Sequence, residues 1–354
     1  MHIGRIFITA VCLLTGLVAC QNGKEKELLT IPMDVQDVQE LTLSTITRES
    51  RSIHLELTDQ SLLSDMIRRV LYSEDYIVVF DRKNKLPILF DGNGKFLRTI
   101  GSIGQGPGEI ASLSDIAADF DRELLYVLTT GKILCYNFQG EFLKETSFRP
   151  RYLYFVDGNL LSIAENFRKG EEKINECMLY FMDDGLQVKD SLLLHSIRDP
   201  RMAWIHPYTD FVTHSEGNTY QYYFELNPEP FLRDTLYTLK GNKLYPDLRI
   251  DYGTTGLNAK GERELYLCNI YRSSRYVFSA YVLAHNNTHW LSCYDLKTGE
   301  RYAMENGFTD DINGSGIVRI RPLTTNSEQY YYIYYPEDSH EEDNPVLCIG
   351  TLKQ

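Results

Sequence analysis

DYIVVFDRKNKLPILFDGNGKFLRTI (residues 75–100) is echoed by ELLYVLTTGKILCYNFQGEFLKET (123–146). Each copy opens on an apolar run, YIVVF or LLYVL, turns through polar residues, and enters a second run, LPILF or KILCY. A glycine turn then leads to a third run, KFLRTI or EFLKET. Short β-branched and aromatic runs divided by turn residues read as strands, and the copies are offset by 46 residues at the third run and 48 at the first. A period in the forties with three or four strands per unit is what one blade of a β-propeller requires.

The same pattern divides the rest of the chain. Residues 151–194 give a third unit, 224–250 a fourth, 275–304 a fifth and 316–336 a sixth. SIHLEL (52–57) and NPVLCIGTL (344–352) are left over at opposite ends. Strands from both termini commonly share one blade of a propeller, which removes the open sheet edges. The expectation is therefore an all-β, six-bladed β-propeller of four-stranded antiparallel blades, closed by the N- and C-terminal strands; seven blades also fit the length. The only segment with a helical pattern is QSLLSDMIRRV (60–70).

Between the first two copies lies GSIGQGPGEI (101–110), rich in glycine like a nucleotide loop. A phosphate-binding P-loop needs Lys and then Ser or Thr after its last glycine, whereas Gly106 is followed by Pro107 and Gly108. A dinucleotide fingerprint starting at Gly104 and Gly106 would need glycine where Glu109 stands, with a helix to follow. The glycines instead supply bends, and Pro107 fixes one φ, where the chain crosses between blades.

The stretch from DGNGKFLRTIGSIGQGPGEI through DIAADFDRELLYVLTTGKILCYNFQGEF (91–141) resembles the NHL-type blade pattern. More broadly, residues 30–352 resemble the six-bladed propeller lipoproteins of Bacteroides-like bacteria, which share GPGE (106–109), DTLY (234–237) and DDING (310–314). That resemblance implies a propeller fold and a cell-envelope address. It implies no activity.

The N-terminus gives an address of its own. Arg5 precedes an apolar run from 6 to 19, which ends in Leu17-Val18-Ala19-Cys20. The run is too short to span a bilayer well and reads as a signal peptide. The sequence LVAC is similar to the lipobox of bacterial lipoproteins, in which the cysteine becomes acylated. Residues 1–19 are accordingly read as the signal, 20–36 as lipidated cysteine and tether, and 37–354 as the propeller domain, anchored by lipid to a bacterial membrane, most simply the outer membrane.

Composition narrows the partners. The net charge of −13 argues against nucleic acid, which favours basic surfaces. Beyond Cys12 and Cys20, five cysteines remain, an odd number without a CxxC pair; each lies in an apolar run and reads as a buried small hydrophobe. No cofactor is called for, with calcium as the one metal to consider. Asp311, Asn313, Ser315 and Gly316 fall at positions one, three, five and six of an EF-hand-like loop, but position twelve is Pro322, which has no carboxylate. His285 and His289 have helical metal-ligand spacing, yet they flank a turn between two strand-like runs, which reads as a hairpin tip.

The remaining candidate is AWIHPYTDFVTH (203–214), which gathers Trp204, His206, Tyr208 and His214 in a loop between blades. Such loops line the mouth of a propeller, where ligands bind. Without a recognised catalytic motif, the sequence reads as a binding or scaffolding module for a peptide, glycan or envelope protein. The alternative is a propeller-type hydrolase, lyase or lactonase acting at the central channel, with or without calcium. The anchor is directly testable: Cys20→Ser is expected to move the protein from the membrane to the soluble fraction, and continued membrane partitioning would exclude lipidation at Cys20.

Overall fold

The inner part of each repeat is buried on both faces, and this dictates the layering. In the computed structural model, which describes residues 28–35, 40–168, 174–198, 208–224, 230–336 and 343–354, nearly every ordered element is a strand. Runs such as YIVVFD and YVFSAYVL are buried almost without interruption, as expected of strands covered by a neighbouring sheet on either side. The fourth strands, FLRT and FLKET, are largely exposed.

Six sheets follow one another along the chain. Sheet I comprises Ile67–Tyr72, Tyr76–Asp81, Ile88–Asp91 and Phe96–Thr99; sheet II comprises Leu113–Asp119, Leu124–Thr129, Lys132–Asn137 and Phe142–Thr146. Sheet III comprises Tyr152–Val156, Asn159–Arg168, Ile174–Met182 and Val188–Arg198. Sheet IV contains Val212–Ser215, Asn218–Gln221, Thr235–Lys240 and Lys243–Asp251, and sheet V contains Leu265–Arg272, Tyr276–Leu283, Thr288–Asp295 and Arg301–Glu305. Sheet VI is assembled from both ends of the chain: Arg321–Leu323, Asn326–Tyr334 and Val346–Leu352 are followed by Thr47–His54. There Ser52 pairs with Cys348 and Ile53 with Leu347, so the two leftover terminal segments meet in one sheet.

Apolar clusters bind consecutive sheets. Val78 and Phe80 of sheet I pack with Ile116 and Val127 of sheet II, and Ile133 of sheet II with Leu153 and Leu160 of sheet III. Cys177 and Leu179 of sheet III meet Val212 of sheet IV, and Leu236 and Leu248 of sheet IV meet Leu267 and Tyr281 of sheet V. Phe278 and Cys293 of sheet V face Tyr330 and Cys348 of sheet VI. A further cluster joins Ile53 and Leu347 of sheet VI back to Ile77 and Phe90 of sheet I. At that last junction, Gly94 has φ +87°, and a Cβ there would lie 2.2 Å from the His54 carbonyl, so glycine is required.

Some details differ from the sequence reading. Residues 60–66 form turns, and Ile67–Tyr72 is a strand, because Val70 and Leu71 are buried between sheets, a tertiary demand that overrides the helical pattern. Leu29–Pro32, within the stretch read as tether, runs parallel to Leu248–Asp251 as a fifth strand of sheet IV, with Ile31 fully buried. The signal segment and Cys20 lie outside the described residues. All five described cysteines are buried, and burial pushes the Cys135 thiol up to about 11. Among the described residues no helix is long and apolar enough to cross a membrane.

The glycine loop carries its own partners. The connection from sheet I to sheet II includes the parallel pair Ser102–Ile103 and Glu109–Ile110. The Gly106 amide donates to the Glu109 carboxylate at 2.8 Å, the Gly108 amide to Glu145 at 2.9 Å, and the Tyr136 hydroxyl to the Gly108 carbonyl at 2.7 Å. These amides are engaged by carboxylates and serve as a joint.

The first strands of sheets I, II, III, V and VI, with the segment that leads into sheet IV, converge on two arginines. Arg69, 1 % exposed, donates to the carbonyls of Ile116 (3.0 Å), Leu153 (2.7 Å) and Thr209 (2.6 Å), and its Nη1 lies 3.1 Å from the equally buried Asp115 carboxylate. Arg321 donates to the Asp210 carboxylate at 2.9 and 3.0 Å, to the Thr209 hydroxyl at 2.6 Å and to the Arg68 carbonyl at 2.7 Å. Asn269 of sheet V completes the set by donating to the Asp210 carbonyl at 3.2 Å.

Removing one partner of a buried ion pair leaves the other charge uncompensated, so Asp115→Ala is expected to cost about 3–5 kcal/mol in chemical denaturation. Replacing both partners in Arg69→Met/Asp115→Leu should not restore stability, because three carbonyls then lose their donor. A double variant as stable as the wild type would contradict this account.

Candidate functional site

A cavity of about 650 Å³ opens beside this arginine network, between sheets V and VI. Its inner wall is built from Asp210, Asn269 and Arg321; Tyr271, Tyr331 and Tyr332 extend it outward, and His289, Trp290 and Arg319 stand on the sheet V side and the adjoining connection. A two-stranded hairpin, Phe308–Asp310 with Gly316–Val318, contributes Ser315, Ile317 and Val318. The volume falls within the ~300–1,000 Å³ typical of small-ligand sites.

Strand parity explains which side chains reach it. Asn269 and Tyr271 lie two residues apart and share a face of sheet V, and His289 and Leu291 do the same on the third strand. Across the sheet, Ala280 pairs with both Asn269 and Leu291, so all four belong to the face turned toward sheet VI. Tyr271 is held by stacking on Phe278 at 4.9 Å, and Trp290 by stacking on Tyr281 and donating to the Thr288 hydroxyl at 2.9 Å.

The lining contains polar atoms that the protein does not satisfy. Asn269 Oδ1, Tyr271 Oη and His289 Nδ1 are buried and have no hydrogen-bond partner among the described residues. Asn269 is 0 % exposed and Tyr271 3 %. Buried polar atoms nearly always find a partner; three without one belong to residues lining this cavity, and two more, Arg69 Nε and Asp115 Oδ1, lie in the neighbouring arginine network. Burial, and then the nearby Arg319 charge, hold His289 below the usual histidine range, which favours the neutral imidazole.

The residues singled out from sequence are distributed unevenly. Tyr208 lines the cavity, immediately before Thr209 and Asp210. Trp204 and His206 lie outside the described residues. His214 sits in the first strand of sheet IV with its Nδ1 3.2 Å from the Thr219 hydroxyl, and it is not among the residues lining the cavity. Asp311 accepts from the Ser44 amide at 3.0 Å and from the Ser44 hydroxyl, while Asn313 accepts from Ser52 at 2.9 Å and donates to Tyr332 at 2.6 Å. Their side chains thus fasten the hairpin to the N-terminal segment. Among the described residues no group of three or more His, Cys, Asp or Glu side chains is arranged to hold a metal ion.

Asn269, Tyr271 and Arg319 escaped the sequence reading, and His289 was read as a hairpin tip. Its hairpin is real, joining Tyr276–Leu283 to Thr288–Asp295, but the histidine turns into the cavity. The only sequence signal was an Asn and a Tyr at alternate positions in an otherwise apolar strand, LYLCNIYR.

Comparison with known proteins places the chain in a family of unknown function. A family model described as "Domain of unknown function (DUF4934)" matches residues 28–351. No curated protein matches. Among solved structures, a Bacteroides fragilis protein described as exported aligns with a TM-score of 0.61 at 18% identity, covering 92% of this chain and 99% of that one. At this identity the likeness concerns the fold alone. Weaker alignments include a member of the DUF4221 family from Bacteroides vulgatus (TM-score 0.43, 13% identity, 87% of this chain and 97% of that one). Another is the WD40 domain of Neurospora crassa Pan2 (TM-score 0.42, 9% identity, 81% and 76%).

The hairpin roofing the cavity depends on one carboxylate. Asp310 accepts from the Ile312 and Asn313 amides at 3.1 and 3.0 Å, from the Tyr332 hydroxyl at 2.8 Å and from Ser315. Burial alone would raise this carboxyl, but the Ser315 hydroxyl, the Asn313 amide, the Tyr332 hydroxyl and the Ile312 amide together hold it below the usual range. A carboxyl with a depressed folded pKa stabilises the fold above its unfolded value of about 4 and loses that contribution as pH falls through the folded value. Asp310→Asn is therefore expected to lower stability by about 1–3 kcal/mol at pH 7 and to flatten the decline in stability below pH about 4, measured by urea unfolding across pH. An unchanged acid profile would remove Asp310 from this role.

Proposed function

The chain belongs to this family, and from that premise we propose that it is an exported, six-bladed, ring-closed β-propeller that binds a soluble ligand in the cavity between sheets V and VI. Lipidated Cys20 holds it at the cell envelope, with the outer membrane as the expected site. Support for the ring comes from the six apolar clusters, the last of which joins sheet VI to sheet I, and from the terminal strands that share sheet VI. Support for the address comes from the lipobox-like LVAC and from the exported Bacteroides fragilis neighbour.

The observation that carries the binding reading is the set of three orphaned polar atoms, Asn269 Oδ1, Tyr271 Oη and His289 Nδ1, around one cavity. An unsatisfied buried group costs about 1–3 kcal/mol, a cost that an incoming ligand removes. Recognition is favoured over turnover because the carboxylates at the cavity are engaged by cations. Asp210 is held by Arg321, and Asp65 by Lys83 at 3.2 Å.

The test is isothermal titration of the detergent-extracted full chain against soluble oligosaccharides and peptides. At least one class is expected to bind saturably, and Tyr271→Phe should weaken that binding by about fivefold while leaving the thermal midpoint of the free protein unchanged or raised, since an unpaired hydroxyl has been removed. The reading fails if nothing binds, or if binding is indifferent to Tyr271→Phe and His289→Ala alike.

A further inference from the structure

We infer that the ligand of this cavity is an acidic sugar, a hydroxylated ring bearing one carboxylate that sits against Arg319. The inference rests on the binding reading above and adds the chemical class. Its starting point is charge. Of the cations at the cavity, Arg321 is paired with Asp210, whereas Arg319 donates its Nε and Nη2 only to the carbonyl and amide oxygens of Asn306, at 3.2 and 2.9 Å. No carboxylate lies within ion-pair distance of Arg319 among the described residues, in a chain whose net charge is −13. An exposed guanidinium left without a carboxylate beside a cavity is a receptor for an anion, and its free Nη1 edge suits a planar carboxylate. A single unpaired cation balances a monoanion better than a dianionic phosphate.

The orphaned atoms define the rest of the ligand. The Asn269 amide nitrogen already donates to the Asp210 carbonyl, which fixes Oδ1 as an acceptor that needs a donor from the cavity. The Tyr271 hydroxyl and the neutral His289 imidazole can each donate or accept. Ring hydroxyls, being both donors and acceptors, satisfy all three; a hydrocarbon acid would satisfy Arg319 alone. The aromatic lining offers apolar surface to the C–H faces of a sugar ring.

The test compares four probes by isothermal titration with the full chain: a galacturonic acid trisaccharide, the matching neutral galactose trisaccharide, cyclohexanecarboxylate, and a tripeptide with a free C-terminus. The acidic trisaccharide is expected to bind at least about tenfold more tightly than the other three, with an affinity that falls as salt rises. Arg319→Gln should bring the acidic and neutral trisaccharides to equal affinity, and Arg319→Lys should restore part of the difference; the exposed position makes folding an unlikely confounder, and the thermal midpoint checks it. Equal binding of the two sugars by the wild type, tighter binding of the tripeptide, or a preference that survives Arg319→Gln would overturn the acidic-sugar assignment and leave the cavity reading standing. Failure of every probe, together with every other oligosaccharide and peptide, would instead bring down the cavity reading itself.

Discussion

The fold depends on how the first strands of five sheets and the segment entering sheet IV meet in one buried polar network. Each innermost strand has one edge without a partner strand, and the carbonyls there must find donors or face a buried loss. Arg69 supplies three such donors at once, to sheets II and III and to the segment entering sheet IV. Arg321 ties sheet VI to the same segment and to sheet I, and Asn269 brings in sheet V. Thr209 and Asp210 receive bonds from sheets I, V and VI, so a two-residue stretch is the common anchor. The ion pairs alone add little net stability over apolar side chains of equal volume, but the carbonyl bonds that Arg69 makes have no apolar substitute, and together they specify which strands meet.

This network also bears on where open volume lies. With Arg69, Asp115, Arg321 and Asp210 occupying the centre, open volume is displaced to the gap between sheets V and VI. That gap is where the chain departs most from a regular repeat. The connection from sheet V to sheet VI contains its own hairpin, Phe308–Val318, and sheet VI begins with a strand of only three residues, Arg321–Leu323. Irregularity of this sort is a common means by which a repeated scaffold acquires a distinct site.

The architecture was legible because it is written in runs of apolar residues with a period. YIVVF and LLYVL announce strands, and the leftover SIHLEL and NPVLCIGTL announce a shared sheet, which Ile53 opposite Leu347 realises. The axis was not legible. IRRVLY carries two adjacent arginines at the end of the segment with a helical pattern, yet Arg69 is fully buried because its charge is met 46 residues away by Asp115 and it donates to carbonyls up to 140 residues away. The cavity was half legible: Tyr208 stood out within an aromatic loop, whereas Asn269 and Tyr271 share one strand and meet Arg319, in a later connection, only through tertiary packing.

The contrast between prominent and unremarkable polar groups locates the site. GQGPGE and DDING catch the eye, but in both the hydrogen-bonding capacity is engaged internally: Gly106 and Gly108 by Glu109 and Glu145, Asp311 by Ser44, Asn313 by Ser52 and Tyr332. Asx- and Gly-rich turns are prominent in sequence because of the backbone conformations they supply, and here their groups are engaged in part by distant segments, Ser44 and Ser52 for the DDING turn and Glu145 for Gly108. Asn269 and Tyr271 are the reverse case. They occupy strand positions where an apolar residue would pack at no polar cost, and they retain unsatisfied buried atoms in residues that line the cavity. A fold keeps such a local violation where a function requires it, so unengaged capacity in a buried strand is the better guide to the site than any loop motif.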